Sequence, residues 1–352
     1  NFTVRGAAKA PYAYAVQSIT TGDTSLQVYG STSTEGWQVG DTITIGPTSG
    51  GGFSITSRPI TAITGGPLYT VSWSGGTLPQ ARNLTPATPI IVANLTRNVL
   101  VRSVGMGTGG SMGNTAYISN LARNTTSFMV SYGEFAYLGS MLGFQYSLVF
   151  DPSSRGEISS STFRNSTYGL FLYNSYRNTF TGNNFFSNTN SGIEIRSSSN
   201  NTLVGNNFIS NGSFGVFLFN ASSHNTLTAN NAYSNGSYGI YLYDTCNENT
   251  LTFNNSFSNS DNGINFVTAS NNLLAGNNYY ANYDHGIYLD ISSNNNRFIG
   301  DNSCSNVGSG IYLSNSVDNA FTGGGLGYDR EGAGKPDTAD EVSFDPAKVN
   351  SL

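Results

Sequence analysis

Asp261, Asp284 and His285 are the residues of this 352-residue chain whose types and spacing best suit chemistry. Each aspartate stands two residues before a glycine in matching contexts, "DNGINF" and "DHGIYL". If those contexts are adjacent rungs of a stacked β-structure, the carboxyl groups lie roughly 5 Å apart. Such a pair, with His285 beside it, suits the acid and nucleophile of a retaining glycosidase. With nearby carbonyl and Asn oxygens, Asp261 and Asp284 would instead hold Ca²⁺, the one cofactor the sequence suggests. The plain alternative is two solvated loop carboxylates.

The other reactive side chains are sparse. His224 falls in a turn and reads as a surface residue. The two cysteines, Cys246 and Cys304, make neither a CxxC metal site nor a disulfide framework. Cys304 reads as a small hydrophobe in an inward position, and Cys246 lies in a different turn, so a bond between them is not expected. Ten N-x-S/T sequons, among them Asn94, Asn165, Asn211 and Asn235, are no more than 44 Asn residues supply by composition.

These residues are positioned by a repeat. The glycines of "YGLFL", "SGIEI", "FGVFL", "YGIYL", "NGINF", "HGIYL" and "SGIYL" are Gly169, Gly192, Gly215, Gly239, Gly263, Gly286 and Gly310, spaced 23 or 24 residues apart. Each unit adds an Asn two residues before an apolar residue, as in Asn178/Phe180 and Asn225/Leu227, and a second such pair, as in Asn184/Phe186 and Asn231/Tyr233. Three short strands per unit are implied, and no unit contains a ten-residue helical pattern. That leaves an all-β fold, a parallel β-helix with one coil per repeat and Asn ladders at the turns. Alternation along the first strand sends Leu170, Ile193, Val216, Ile240, Ile264, Ile287 and Ile311 inward. It turns Phe217, Phe219, Tyr241, Tyr243, Tyr288 and Tyr312 outward as an aromatic face suited to protein or glycan.

The "NNTL…N…SN…YGIYL" pattern resembles the right-handed parallel β-helix repeat proteins of NosD type over residues 144 to 325. That resemblance implies the fold and leaves the activity open, because the fold carries lyases, hydrolases, tailspikes and structural proteins. Lyases of this fold pair acidic residues with a cation near the acidic sugar. Here Arg196 is four coils, about 19 Å, from Asp290, and Arg164, Arg177 and Arg297 complete no such cleft. Upstream, "GWQVGDTITIGPT", "VANLTRNVLVRS" and "VSYGEFAYLGS" resemble the segment that follows the G8 domain in the hyaluronidase-like group of cell-surface and secreted proteins. The group's His-containing coil is replaced here by "GFQYSLVFDP", which has no His.

Residues 1–98 are therefore expected to form a β-rich module packed on or inserted into the first coils, 99–325 the solenoid, and 326–352, with 9 of the 35 charged residues, a cap or linker. A net charge of −5 argues against nucleic acid and anionic membrane, and no run is long enough to span a bilayer. Low charge and an absent initiator Met fit a processed, secreted or cell-surface protein or an excised fragment. The leading expectation is a structural or adhesive protein that self-associates or meets other surface proteins through its aromatic face. A polysaccharide-binding or polysaccharide-degrading protein is the alternative, and a tailspike-like trimer a third.

Overall fold

The computed structural model describes residues 1–29, 34–49, 55, 57–85, 88–103, 116–140 and 146–325, with the backbone of a strand at 342–344. The chain winds into a parallel β-helix with three sheets of ten, nine and ten strands. The first sheet runs from Phe2–Arg5 to Ala320–Thr322, the second from Val99–Arg102 to Asn302–Cys304, and the third from Ile118–Asn120 through Ile311–Leu313 to Val342–Phe344.

The register explains why the repeat folds this way. Leu203 pairs with Leu227 and Leu227 with Leu251 in the first sheet, and Ile193 with Val216 and Val216 with Ile240 in the third, so each inward residue lands on its equivalent one coil along. All of these are fully or almost fully buried in one continuous core. Turns are sealed by buried Asn ladders. Asn201 Oδ1, for instance, accepts the backbone N–H of Asn178 at 3.0 Å and its side-chain N–H at 3.0 Å. The repeat glycine is required by close approach: a Cβ on Gly239 would fall 1.8 Å from Ser256 Oγ. Ser256 stands where other coils carry an inward Phe185 or Phe208, and its hydroxyl donates to the Gly263 carbonyl at 2.6 Å.

The chain begins in the solenoid, because Phe2–Arg5 pairs in parallel with Phe128–Ser131. It then leaves to build a six-stranded sheet of antiparallel pairs with its own core, including Ile43, Val71, Trp73 and Val92, and re-enters at Val99–Arg102. This module is thus an insertion. It sits on the outward face of the second sheet, where Ile91, Ala93 and Leu95 bury Phe186, Ile209, Tyr233, Phe257 and Tyr280. Asn184 Nδ2 donates to the carbonyls of Pro11 and Asn94 across the seam. Arg97 clamps the same seam, its Nε donating to the Ser160 carbonyl at 2.6 Å and its backbone N–H to Glu134 Oε2 at 3.3 Å. Burial lowers the Arg97 pKa to about 10, against the pull of Glu134, so it stays cationic at neutral pH.

Cys304 departs from expectation. It belongs to the outward column of Phe186 and Tyr280, under the inserted module, while Ser303 is the buried inward residue. That column is apolar throughout because a second layer covers it, which makes it look like core in sequence. Neither cysteine is in a disulfide. Of the charged C-terminal stretch, the strand Val342–Phe344 pairs with Ile311–Leu313. The remainder of the expected cap lies outside the described residues.

Candidate functional site

Four-residue strands in the third sheet each project two side chains outward, and the residue before the repeat glycine adds a third. One column therefore reads Phe171, Glu194, Phe217, Tyr241, Asn265, Tyr288, Tyr312. Beside it runs Tyr173, Arg196, Phe219, Tyr243, Val267, Asp290. On the turn side stand Tyr168, Phe214, Tyr238 and His285.

At the middle of this face six rings form three stacked pairs over two coils. Phe217 lies 5.0 Å from Tyr241, Phe219 5.5 Å from Tyr243, and Phe214 5.4 Å from Tyr238, each pair within 9° of parallel. The inserted module covers the second sheet and leaves these rings accessible, with Tyr243 38% exposed. Burial raises the pKa of the Tyr238 and Tyr241 phenols, so they remain neutral hydrogen-bonding groups.

Toward the N-terminal end the face becomes polar. Glu194 Oε1 accepts from Arg196 Nη2 at 2.7 Å and Nε at 3.1 Å. The guanidinium lies 5.4 Å from the Phe171 ring centre and 5.0 Å from that of Phe219, so the cation is set flush into the aromatic floor. Burial raises the Glu194 pKa, with Arg196 opposing. This pair spans two positions of one strand, a spacing that puts both side chains on the same face. Sequence reading did not join these two residues, and it left Phe214 and Tyr238 out of the aromatic face.

Toward the C-terminal end Asp261 and Asp284 stand on adjacent coils, with His285 next to Asp284. The Asp284 N–H approaches the Asp261 backbone carbonyl at 3.4 Å, and Asp261 Oδ1 accepts the Asn262 N–H at 3.0 Å. Burial, then the neighbouring Asp284, raises the Asp261 pKa. His285 Nδ1 accepts the Ser309 N–H at 2.8 Å, and Nε2 lies 3.4 Å from Asp284 Oδ1. That arrangement assigns the proton to Nε2 and occupies the lone pair a general base would use. The ring stacks on Tyr312 at 4.7 Å, and burial lowers its pKa in spite of Asp284. His285 is thus built into the wall of the face.

His224 pairs at 3.3 Å with Glu248 on the surface. The sequon residues Asn94, Asn211 and Asn235 are buried in the folded chain, which closes them to glycan attachment.

Residues 123–278 match the family model described as the right handed beta helix region, and residues 253–334 that of the periplasmic copper-binding protein NosD. No curated protein matches the chain. Among solved structures, the periplasmic alginate epimerase AlgG is similar at 20% identity and TM-score 0.48, over 55% of this chain and 59% of that one. Pectate lyase Pel9A is similar at 16% identity and TM-score 0.44, over 62% and 67%. The Azotobacter vinelandii mannuronan C-5 epimerase AlgE4 A-module is similar at 11% and 0.45, over 64% and 83%. The chain thus spans about three fifths of the epimerase AlgG. Copper does not fit the matched segment. Residues 253–334 contain no Met, their one His is committed to Ser309 and Asp284, and no three His, Cys, Asp or Glu among the described residues could hold a metal.

Proposed function

We propose that the third-sheet face binds an extended polysaccharide along the solenoid axis, outside the cytoplasm. The observation that carries this is the contrast between two outward aromatic columns: the chain seals one beneath its own module and leaves the other open. The partly exposed rings of the column run from Phe217 to Tyr312, four rungs or about 19 Å, a length that suits a linear chain better than a compact ligand. Its rings combine apolar surface with phenol hydroxyls, and amide and carboxylate groups flank them, the mixture that a polyhydroxylated chain satisfies. Arg196 is already neutralised by Glu194, while no Lys or Arg among the described residues pairs with Asp261, Asp284 or Asp290, so the face favours a glycan without dense negative charge. The periplasmic description of the matched copper-protein family fits a location outside the cytoplasm.

Self-association is the second reading, favoured by the low charge, 10% of residues, and by tyrosines such as Tyr173 and Tyr243 standing exposed on a flat sheet. One experiment separates the two. Co-sedimentation with a panel of insoluble polysaccharides should retain the wild type and release the Phe217→Ala/Tyr241→Ala variant. Filaments that persist on dilution, with no polysaccharide retained, would replace the glycan reading by the assembly reading. Reducing ends or unsaturated sugars released by the wild type and lost in Asp261→Asn/Asp284→Asn would make the face catalytic as well.

A further inference from the structure

At the turn that joins the third sheet to the first, two cations stand together without an anion. Arg155 and Arg177 each lie three residues before an inward residue, Ile158 and Phe180, and those two pair in register. The arginines therefore occupy the same corner on adjacent coils, one strand spacing or about 4.8 Å apart along the axis. With Ser153, Tyr176 and Asn200 they line an open cleft of about 300 Å³. All five side chains can donate a hydrogen bond, and none carries a negative charge.

The chain supplies no counter-charge. Arg164 and Arg196 are held by Glu134 and Glu194, but no ion pair among the described residues includes Arg155 or Arg177. The nearest carboxylate of the same corner column, Glu248, is three coils on from Arg177 and faces His224. Asp151, ahead of the turn, takes the Ser119 hydroxyl, and Glu157 stands exposed on the first sheet. Like charges one strand spacing apart repel, and Arg155, partly buried with an enclosed Nε that makes no hydrogen bond, has lost water without gaining a partner. We propose that this cleft binds a single oxyanion, a carboxylate, sulfate or phosphate group, between the two guanidinium groups. The cleft lies round the corner from the open aromatic face, beyond Tyr173 at the end of its strand, and the inference stands apart from the polysaccharide reading of that face.

An oxyanion matches each lining group. Its oxygens accept paired N–H donors from planar guanidinium forks, a geometry that carboxylate, sulfate and phosphate share. The hydroxyls of Ser153 and Tyr176 and the Asn200 amide are donors for the lone pairs that remain. The Tyr176 ring, 39% exposed, offers a flat surface to a sugar that carries the group. A metal ion is the wrong occupant of a cleft with two positive charges and no carboxylate.

The test is a ligand-observed NMR titration of the full chain with glucose, glucuronate, a sulfate ester of glucose and inorganic sulfate. The two anionic sugars are expected to bind at least about tenfold more tightly than glucose, and to weaken as salt is added. Arg155→Gln and Arg177→Gln should each lower that affinity about tenfold, whereas Arg297→Gln, an exposed arginine toward the far end of the first sheet, should leave it unchanged. Arg177 is itself exposed, so its variant keeps the test valid should Arg155→Gln fail to fold. Inorganic sulfate bound as tightly as the sulfate ester upholds the oxyanion site and assigns it to a free anion, while weaker binding of inorganic sulfate upholds it and assigns it to a group borne on a sugar. Equal affinity for glucose and glucuronate overturns the proposal. So does a glucuronate affinity that survives in both cleft variants, or one that falls as far in Arg297→Gln as in Arg177→Gln.

Discussion

Asp301 shows how much one atom matters in a stacked fold. It replaces Asn at the end of the ladder Asn183, Asn206, Asn230, Asn254, Asn277. That ladder has a direction, each Oδ1 accepting from the coil before. Its last member must accept and has no following Asn to donate to. Asp301 Oδ1 accepts from the Asn277 backbone and side chain at 2.9 and 2.7 Å, and Oδ2 from the Ile299 N–H at 3.0 Å. Burial still raises its pKa from 3.8 to about 6, outweighing those donors. A raised carboxyl pKa means that the protonated form is favoured by folding, so its stabilisation is present below pH 4 and fades as pH rises through 6. Asp301→Asn should therefore stabilise the chain at pH 8 by about 1–3 kcal/mol, with the gain vanishing near pH 4, as urea melts at both values would show. Buried hydroxyls give a second expectation. Tyr233, Tyr279 and Tyr280 are fully buried and their oxygens have no hydrogen-bond partner among the described residues, so Tyr→Phe at each should leave stability unchanged or raise it by about 1 kcal/mol in thermal melts.

At the scale of the coil, inward and outward residues were legible because a strict two-residue alternation repeats in register seven times, and a slip of one residue would invert every rung. Ile193, Val216 and Ile240 could be placed from spacing alone. Cys304 could not. Its column is outward yet apolar, and only the inserted module, whose antiparallel strands carry no repeat, explains why. The turn glycines separate two physical demands. Gly239→Ala drives a methyl into Ser256 Oγ and the Gly263 carbonyl and should cost about 3 kcal/mol or more. Gly300 has open space but a φ of +64°, so Gly300→Ala should cost only about 1–2 kcal/mol. Denaturant midpoints of the two variants would check the difference.

Over the whole molecule, a solenoid's coils touch only their neighbours, so stability adds along one dimension and the ends open first. Here the inserted module lies across the coils from Phe186 to Cys304 and joins them through one buried apolar seam. The coil beyond that seam, from Ile311 to Thr322, should exchange its amide hydrogens earlier than those beneath it, measurable by mass spectrometry of peptides from each region. The candidate face runs over both regions: Phe217, Tyr241 and Tyr288 ride on splinted coils, Tyr312 on the unsplinted one. This division has a mechanical consequence. Under tension applied from the C-terminal end, the coil at Ile311–Thr322 should peel away first, before the load reaches the splint. There the coils under the module should resist together and give way in a single larger rupture, so that a filament or glycan pulling on this protein meets a soft segment backed by a stiff one.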